Sequence, residues 1–148
     1  MKKSNKTGAF FWGLCSVLML FFIYGQSMVP PKESGELSGF FLTYLNPILN
    51  PLGVIDPDTL HFLIRKAAHF TEYALFSAAF TQFCRKREWV NPLLPAFVSL
   101  LVAVSDEFLQ SFTGRGSSVR DVLVDFAGAL FGTLLIWLMS RVFRKKEK

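Results

Sequence analysis

Ten side chains that can exchange protons or bind ligands stand within three otherwise apolar stretches of the chain and in one short loop. They comprise a lysine, an arginine, a histidine, a tyrosine, a glutamine and five carboxylic acids. They are Lys66, His69, Glu72, Tyr73, Asp106, Glu107, Gln110, Arg115, Asp121 and Asp125. Histidine and carboxyl groups transfer protons, and arginine and lysine bind anionic groups. Their clustering indicates a polar pocket for a ligand or for proton exchange.

Metal binding is an alternative use of the same carboxyl groups together with His69, because they could form an oxygen-rich site. No pair of histidines or cysteines at the spacing of zinc ligands accompanies them. Since Lys66 and Arg115 stand among them, pairing of charges is the simpler interpretation. We therefore predict no metal and no cofactor.

His69 has two interpretations. It is either a functional residue or a structural histidine that donates a hydrogen bond to Asp106 or Asp121. Its place in a membrane helix favours the functional interpretation, because ionisable residues within membranes are usually functional.

Arg115 lies between two glycines in the loop, and two serines follow it. Its guanidinium, together with the first amides of the next helix, could hold a phosphate or a carboxylate. The alternative is a simple turn followed by a helix N-cap, in which Ser118 and Asp121 form a capping box. The two interpretations are compatible with each other.

The stretches that carry these residues are long and strongly apolar. The 148 residues are 51% hydrophobic, include 17 Phe and have a mean hydropathy of +0.37, which is more apolar surface than a soluble domain of this length can bury. Four segments reach the roughly 20 residues that a membrane span needs. They cover about 9–28, 60–84, 92–112 and 119–143, and an outer loop covers 29–59. We predict an all-α integral membrane four-helix bundle, one domain over 1–148, in which 37–52 is interfacial or re-entrant.

The distribution of basic residues predicts the orientation. Eleven Lys and Arg flank the segment ends on one side and five lie on the other. Because the more basic side is cytoplasmic, both termini are predicted to lie inside the cell. The same placement accounts for the net charge of +5 without a nucleic-acid partner. Cys15 and Cys84 indicate no disulfide framework, and both are predicted near the reducing cytoplasmic side.

In this orientation the polar residues of three helices lie at one depth, near the outer surface. A charged side chain at the centre of a span costs about 2.5–3.5 kcal/mol. The polar faces should therefore turn toward each other and away from lipid. Gly128 and Gly132 lie on the face of Asp121 and Asp125 and should allow a neighbouring helix to approach closely.

The order of these residues resembles the motifs of the VanZ-like family. The segment KAAHFTEYAL, residues 66–75, resembles its first motif, and SDEFLQSF, residues 105–112, followed by Gly114 and Arg115, resembles its second. Gly128 and Gly132 are similar to its closing pattern. The chain departs from the family at Asp125, where asparagine is usual, and at Thr113, where proline is frequent.

The resemblance implies a multi-pass protein of the bacterial cell membrane that lowers susceptibility to glycopeptide and lipoglycopeptide antibiotics such as teicoplanin. Its outward-facing pocket would bind an anionic headgroup, a lipid-linked wall precursor or the antibiotic. The alternative is an intramembrane enzyme acting on a lipid-linked or phosphate-bearing cell-envelope substrate, with His69 and a carboxyl as acid and base. No nucleophile motif is visible, so the catalytic residues stay open. A proton-coupled transporter is disfavoured because the cytoplasmic half is apolar.

Overall fold

The computed structural model describes residues 6–30, 39–40, 43–44, 47–50, 53, 55–89, 91–114 and 116–146, and the side chains of these residues up to 142. Four long helices occupy most of this part of the chain: α1 (Lys6–Met28), α2 (Pro57–Lys86), α3 (Leu93–Phe112) and α4 (Val119–Lys146). The regular structure among the described residues is entirely helical, which confirms the all-α prediction. The predicted spans agree with these helices to within three residues at every end.

The segment predicted at the membrane interface is described only in part. Residues 39–40, 43–44 and 47–49 are helical, and the aromatic side chains of Phe40 and Tyr44 are exposed. The rest of 37–52 falls largely outside the described residues. Its position in or on the membrane therefore stays a prediction.

Polar side chains define where the helices begin. Asp56 is the N-cap of α2: its carboxylate accepts the backbone N–H of Asp58 at 2.9 Å and that of Thr59 at 3.3 Å, and Pro57 occupies the first turn. Hydrogen bonds from Thr59 and Asp58 lower the pKa of Asp56. Ser118 caps α4, since its Oγ accepts the N–H of Arg120 at 3.2 Å.

The helices α2 and α4 pack closely enough for their backbones to approach each other. A Cβ atom on Gly128 would overlap the carbonyl group of Phe70, and one on Gly132 would overlap that of Ala74. Each glycine thus meets the residue 58 positions earlier, so the two helices run in the same direction. Backbone approach of this kind requires small residues in at least one helix, as the sequence predicted for these two glycines.

α2 lies at the centre of the packing and contacts α1, α3 and α4. Its fully buried Tyr73 and Phe76 form a core with apolar residues of the other three helices: Ile23, Val102, Ala103 and Ala129. The helix runs opposite to α1, because Gly13 near the start of α1 lies against Phe83 near the end of α2. The side chains that form the predicted pocket are therefore carried on a central helix.

Many large apolar side chains point outward, among them Phe10, Phe21 and Phe112, each more than 70% exposed. Among the described residues, three helices are long and apolar enough to cross a membrane: Lys6–Met28, Leu93–Phe112 and the Val119–Val142 part of α4. The chain is therefore a multi-pass membrane protein. The 30 residues of α2 are also long enough to cross a membrane at about 1.5 Å per residue. Its charged side chains, however, make it less apolar than the other three helices. A fourth span stays a prediction.

Candidate functional site

An ion pair between Lys66 and Asp121 joins α2 to the first turn of α4. Both side chains are mostly buried, with 17% and 12% exposed. The predicted capping box of Ser118 and Asp121 does not form, because the N–H of Ser118 donates instead to Oε2 of Glu107 at 2.8 Å. Glu107 thereby ties the start of α4 to α3.

Asp106 on α3 is completely buried and is surrounded by hydrogen-bond donors. Ser27 Oγ in the last turn of α1 donates to its Oδ1 at 2.5 Å, and Gln110 Nε2 donates to its Oδ2 at 3.0 Å. The same amide nitrogen lies 3.3 Å from Ser27 Oγ. The carboxylate is thus oriented from two helices at once.

His69 on α2 faces Asp125 on α4, with 3.5 Å between Nδ1 and Oδ1. Asp125 has no exposed surface, and no hydrogen-bond donor to either of its oxygens is found among the described residues. The hydroxyl of the buried Tyr73 lies beside Asp125 and Asp106. One ligand atom each from His69, Asp106 and Asp125 lies within 4.8 Å of the other two.

The structure therefore brings together residues from every predicted polar segment that it describes. Glu72 is half-buried on α2, one turn after His69. Arg115 lies outside the described residues, so its place relative to the cluster stays a prediction. We call the following set the polar cluster: Lys66, His69, Tyr73, Asp106, Glu107, Gln110, Asp121 and Asp125, with Ser27.

Comparison with known proteins agrees with the motifs. A model of the VanZ/LLP1 family matches residues 11–140. The chain belongs to the VanZ/LLP1 family. Neither the comparison with curated proteins nor that with solved structures found a match.

The contribution of α1 to this VanZ/LLP1 site was missed from the sequence. Besides the Ser27 side chain, its backbone carbonyl accepts a hydrogen bond from Thr113 Oγ1 at 3.1 Å. Tyr24 Oη and Ser105 Oγ lie 2.7 Å apart one turn away. The available signal was a serine and a tyrosine in the last turns of a strongly apolar helix that is predicted to run parallel to α3.

The charges of the polar cluster are not balanced by its own basic residues. Four buried carboxyl groups lie in it, on Asp106, Glu107, Asp121 and Asp125, and Lys66 pairs with only one of them. Even a protonated His69 would leave an excess of acid. Among the described residues, the cluster of this VanZ/LLP1 protein therefore suits protons, cations and hydrogen-bond donors better than anions. An anionic ligand would need additional positive charge, such as that of Arg115.

Proposed function

We propose that this VanZ/LLP1 protein resides in the bacterial cell membrane and lowers susceptibility to glycopeptide and lipoglycopeptide antibiotics such as teicoplanin. The observation that carries the proposal is the convergence of polar side chains from all four long helices into one cluster. Intramembrane ionisable residues are rare and generally functional. Their retention in a single buried group supports a binding role and does not suggest a merely structural one.

The proposed orientation places both termini in the cytoplasm and all four long helices across the membrane. The basic residues favour this orientation, because Arg85 and Lys86 end α2 and further lysines and arginines flank the two termini. The end of α1 and the start of α4 would then face outward. The polar cluster lies at these ends and would open toward the outer surface, where wall precursors and antibiotics are found.

Binding would use both basic and acidic groups of the pocket. Arg115 and Lys66 would hold a phosphate or carboxylate of a headgroup, a lipid-linked wall precursor or the antibiotic. Because Lys66 is already paired with Asp121, an anionic ligand must compete with that carboxylate. The remaining acidic groups would accept hydroxyl or ammonium donors of the same ligand.

A teicoplanin susceptibility assay tests this function. Cells expressing the wild type should tolerate more antibiotic than cells carrying His69→Ala, Asp106→Asn or Arg115→Ala, at equal membrane abundance. Arg120→Ala is a matched control, because Arg120 is exposed on α4 and should leave protection intact. Unchanged protection in all three variants would overturn the assignment.

An intramembrane enzyme acting on a lipid-linked or phosphate-bearing envelope substrate is the second candidate. The observation that favours it is the imidazole of His69 beside the carboxylate of Asp125, which is a frequent arrangement for general acid–base catalysis. Purified protein incubated with lipid-linked precursor should then release a new product, and His69→Gln should abolish it. An unaltered precursor would leave binding as the function.

A further inference from the structure

The side chains of His69, Asp106 and Asp125 are placed as the ligands of one metal ion would be. They come from α2, α3 and α4, and their donor atoms all lie within 4.8 Å of one another. Metal–ligand bonds of about 2.1 Å at a tetrahedral angle separate two donor atoms by about 3.4 Å. The distance between His69 Nδ1 and Asp125 Oδ1 is 3.5 Å, which is long for a hydrogen bond but suits two ligands of a shared ion.

Asp125 provides a second, independent observation. It is fully buried, yet neither carboxylate oxygen accepts a hydrogen bond from the described residues. Buried carboxylates normally have hydrogen-bonding or charged partners. A ligand atom of Asp125 lies within 4.8 Å of those of His69 and Asp106, so a cation between them would supply the missing partner.

Asp106 is oriented in the way that metal ligands usually are. Its oxygens accept hydrogen bonds from Ser27 and from Gln110, and a carboxylate oxygen can accept a hydrogen bond and bind a cation at the same time. Hydrogen bonds of this kind fix the direction of a ligating carboxylate. Ser27 and Gln110 would thus act as outer partners of the ion.

The local charge matches a divalent ion. Two carboxylates and a neutral imidazole carry a charge of −2, and the nearest lysine, Lys66, is committed to Asp121. An ion of charge +2 would therefore neutralise the charge of these three ligands. A mixed nitrogen and oxygen ligand set suits Zn²⁺ or Mn²⁺ better than Ca²⁺.

We infer that His69, Asp106 and Asp125 form a binding site for one divalent transition-metal ion. Three protein ligands leave at least one coordination position for water or for an oxygen of a ligand. From the sequence we predicted no metal, because the nearby Lys66 and Arg115 made pairing of charges the simpler interpretation. The inference does not depend on the antibiotic-related function proposed above.

Metal content of the purified protein tests the site. A tag-free wild-type protein in detergent should be stripped with a chelator, incubated with Zn²⁺ or Mn²⁺, desalted and measured by mass spectrometry of the elements. We expect about one ion per chain. Asp125→Asn and His69→Gln should each lower the bound fraction at least tenfold, while Asp58→Asn, an equivalent change at an exposed site on α2, should retain it.

Two outcomes would overturn the inference. One is a wild-type protein that retains neither ion after desalting. The other is equal metal content in wild type, Asp125→Asn and His69→Gln. Size-exclusion profiles identify any variant that does not fold, and the remaining variant then decides between the outcomes. Loss of metal with unchanged teicoplanin protection would separate this site from the proposed function.

Discussion

Lys66 and Asp121 form an ion pair in the polar cluster, between two side chains of opposite permanent charge. The pair connects the middle of the first half of α2 with the first turn of α4. Each side chain retains more than a tenth of its exposure, so the surroundings are neither fully aqueous nor fully dry. Removing one partner leaves the other charge poorly solvated.

We expect Lys66→Met and Asp121→Asn each to lower the free energy of unfolding by about 1–3 kcal/mol, which is less than for a fully buried pair. The double variant should be less destabilised than the sum of the two. Thermal unfolding in detergent micelles, analysed as a double-mutant cycle, measures the coupling energy. Lys66→Met combined with Asp58→Asn is the control and should show additive effects. Additivity in the Lys66 and Asp121 cycle would contradict the pairing.

The individual contacts of the polar cluster were only partly predictable. The residue types and their helical spacing indicated that Lys66, Asp106 and Asp121 would face a common interior. The partners were not predictable: His69 Nδ1 lies 3.5 Å from Asp125 Oδ1, whereas only Asp106 and Asp121 were considered as partners of a structural His69. The glycine contact determines how α2 and α4 are rotated about their own axes. A shift of one helical turn between these two helices would exchange the partners of His69 and Lys66.

At the level of secondary structure, the glycines of α4 determine how closely it approaches α2. Gly128 and Gly132 lie one turn apart and both contact backbone carbonyl groups of α2. Ser77 Oγ and Thr133 Oγ1, 2.6 Å apart, continue this contact toward the other end of the helices. This contact between α2 and α4 therefore positions His69 and Lys66 opposite the carboxyl groups of α4.

Gly128→Ala and Gly132→Ala should each destabilise the protein by about 1–3 kcal/mol or more, because the added methyl group overlaps a carbonyl that cannot move independently. The matched control is Gly25→Ala on α1, where a Cβ meets no atom within 4 Å. That change should be neutral or stabilise by up to about 1 kcal/mol. Thermal unfolding of the three purified variants measures the difference. Equal stabilities for all three would show that α2 and α4 are not packed in this way.

The N-cap of α2 gives a pH-dependent contribution to stability. The folded-state pKa of Asp56 is lowered from 3.8 by the hydrogen bonds of Thr59 and Asp58. Because a lowered pKa favours the folded state only when the group is ionised, the contribution is complete above 3.8 and is lost as the pH falls through the folded-state value. The melting temperature of the wild type should therefore exceed that of Asp56→Ala at pH 6, and the difference should shrink as the pH falls below 3.8.

Asp56→Asn is the control for this pH dependence, since asparagine caps a helix without titrating. Its advantage over Asp56→Ala should stay constant across the same pH range. A constant difference between wild type and Asp56→Ala down to pH 3 would contradict a role for the ionised cap.

The helices themselves were largely predictable, because apolar length and flanking basic residues are local properties of the chain. The ends of α1, α3 and α4 followed from this signal alone. α2 was harder: its hydropathy is lowered by residues such as Arg65 and Glu72, and only their common face indicates a membrane helix. The role of α1 in the site could not be predicted, because the register of Ser27 against Asp106 depends on tertiary packing.

For the molecule as a whole, the orientation in the membrane connects the fold to the proposed function. In a variant lacking Cys15 and Cys84, a cysteine introduced at Ser117 should react with a membrane-impermeant maleimide in intact cells. A cysteine at Glu88, in the turn after α2, should react only after the membrane is opened. Both positions are exposed, so accessibility within the protein does not distinguish them. The reverse labelling pattern would place the polar cluster at the cytoplasmic surface.

The central position of α2 also has a consequence for how the chain is made. The ribosome completes α2 before it has synthesised Asp106, Asp121 or Asp125, the side chains that surround Lys66 and His69 in the finished protein. A newly made α2, which we propose to span the membrane, lacks these partners to shield its charges from the acyl chains. We therefore expect it to wait beside the translocation channel until the last helix emerges, so that integration of this protein into the bilayer is a late and concerted event.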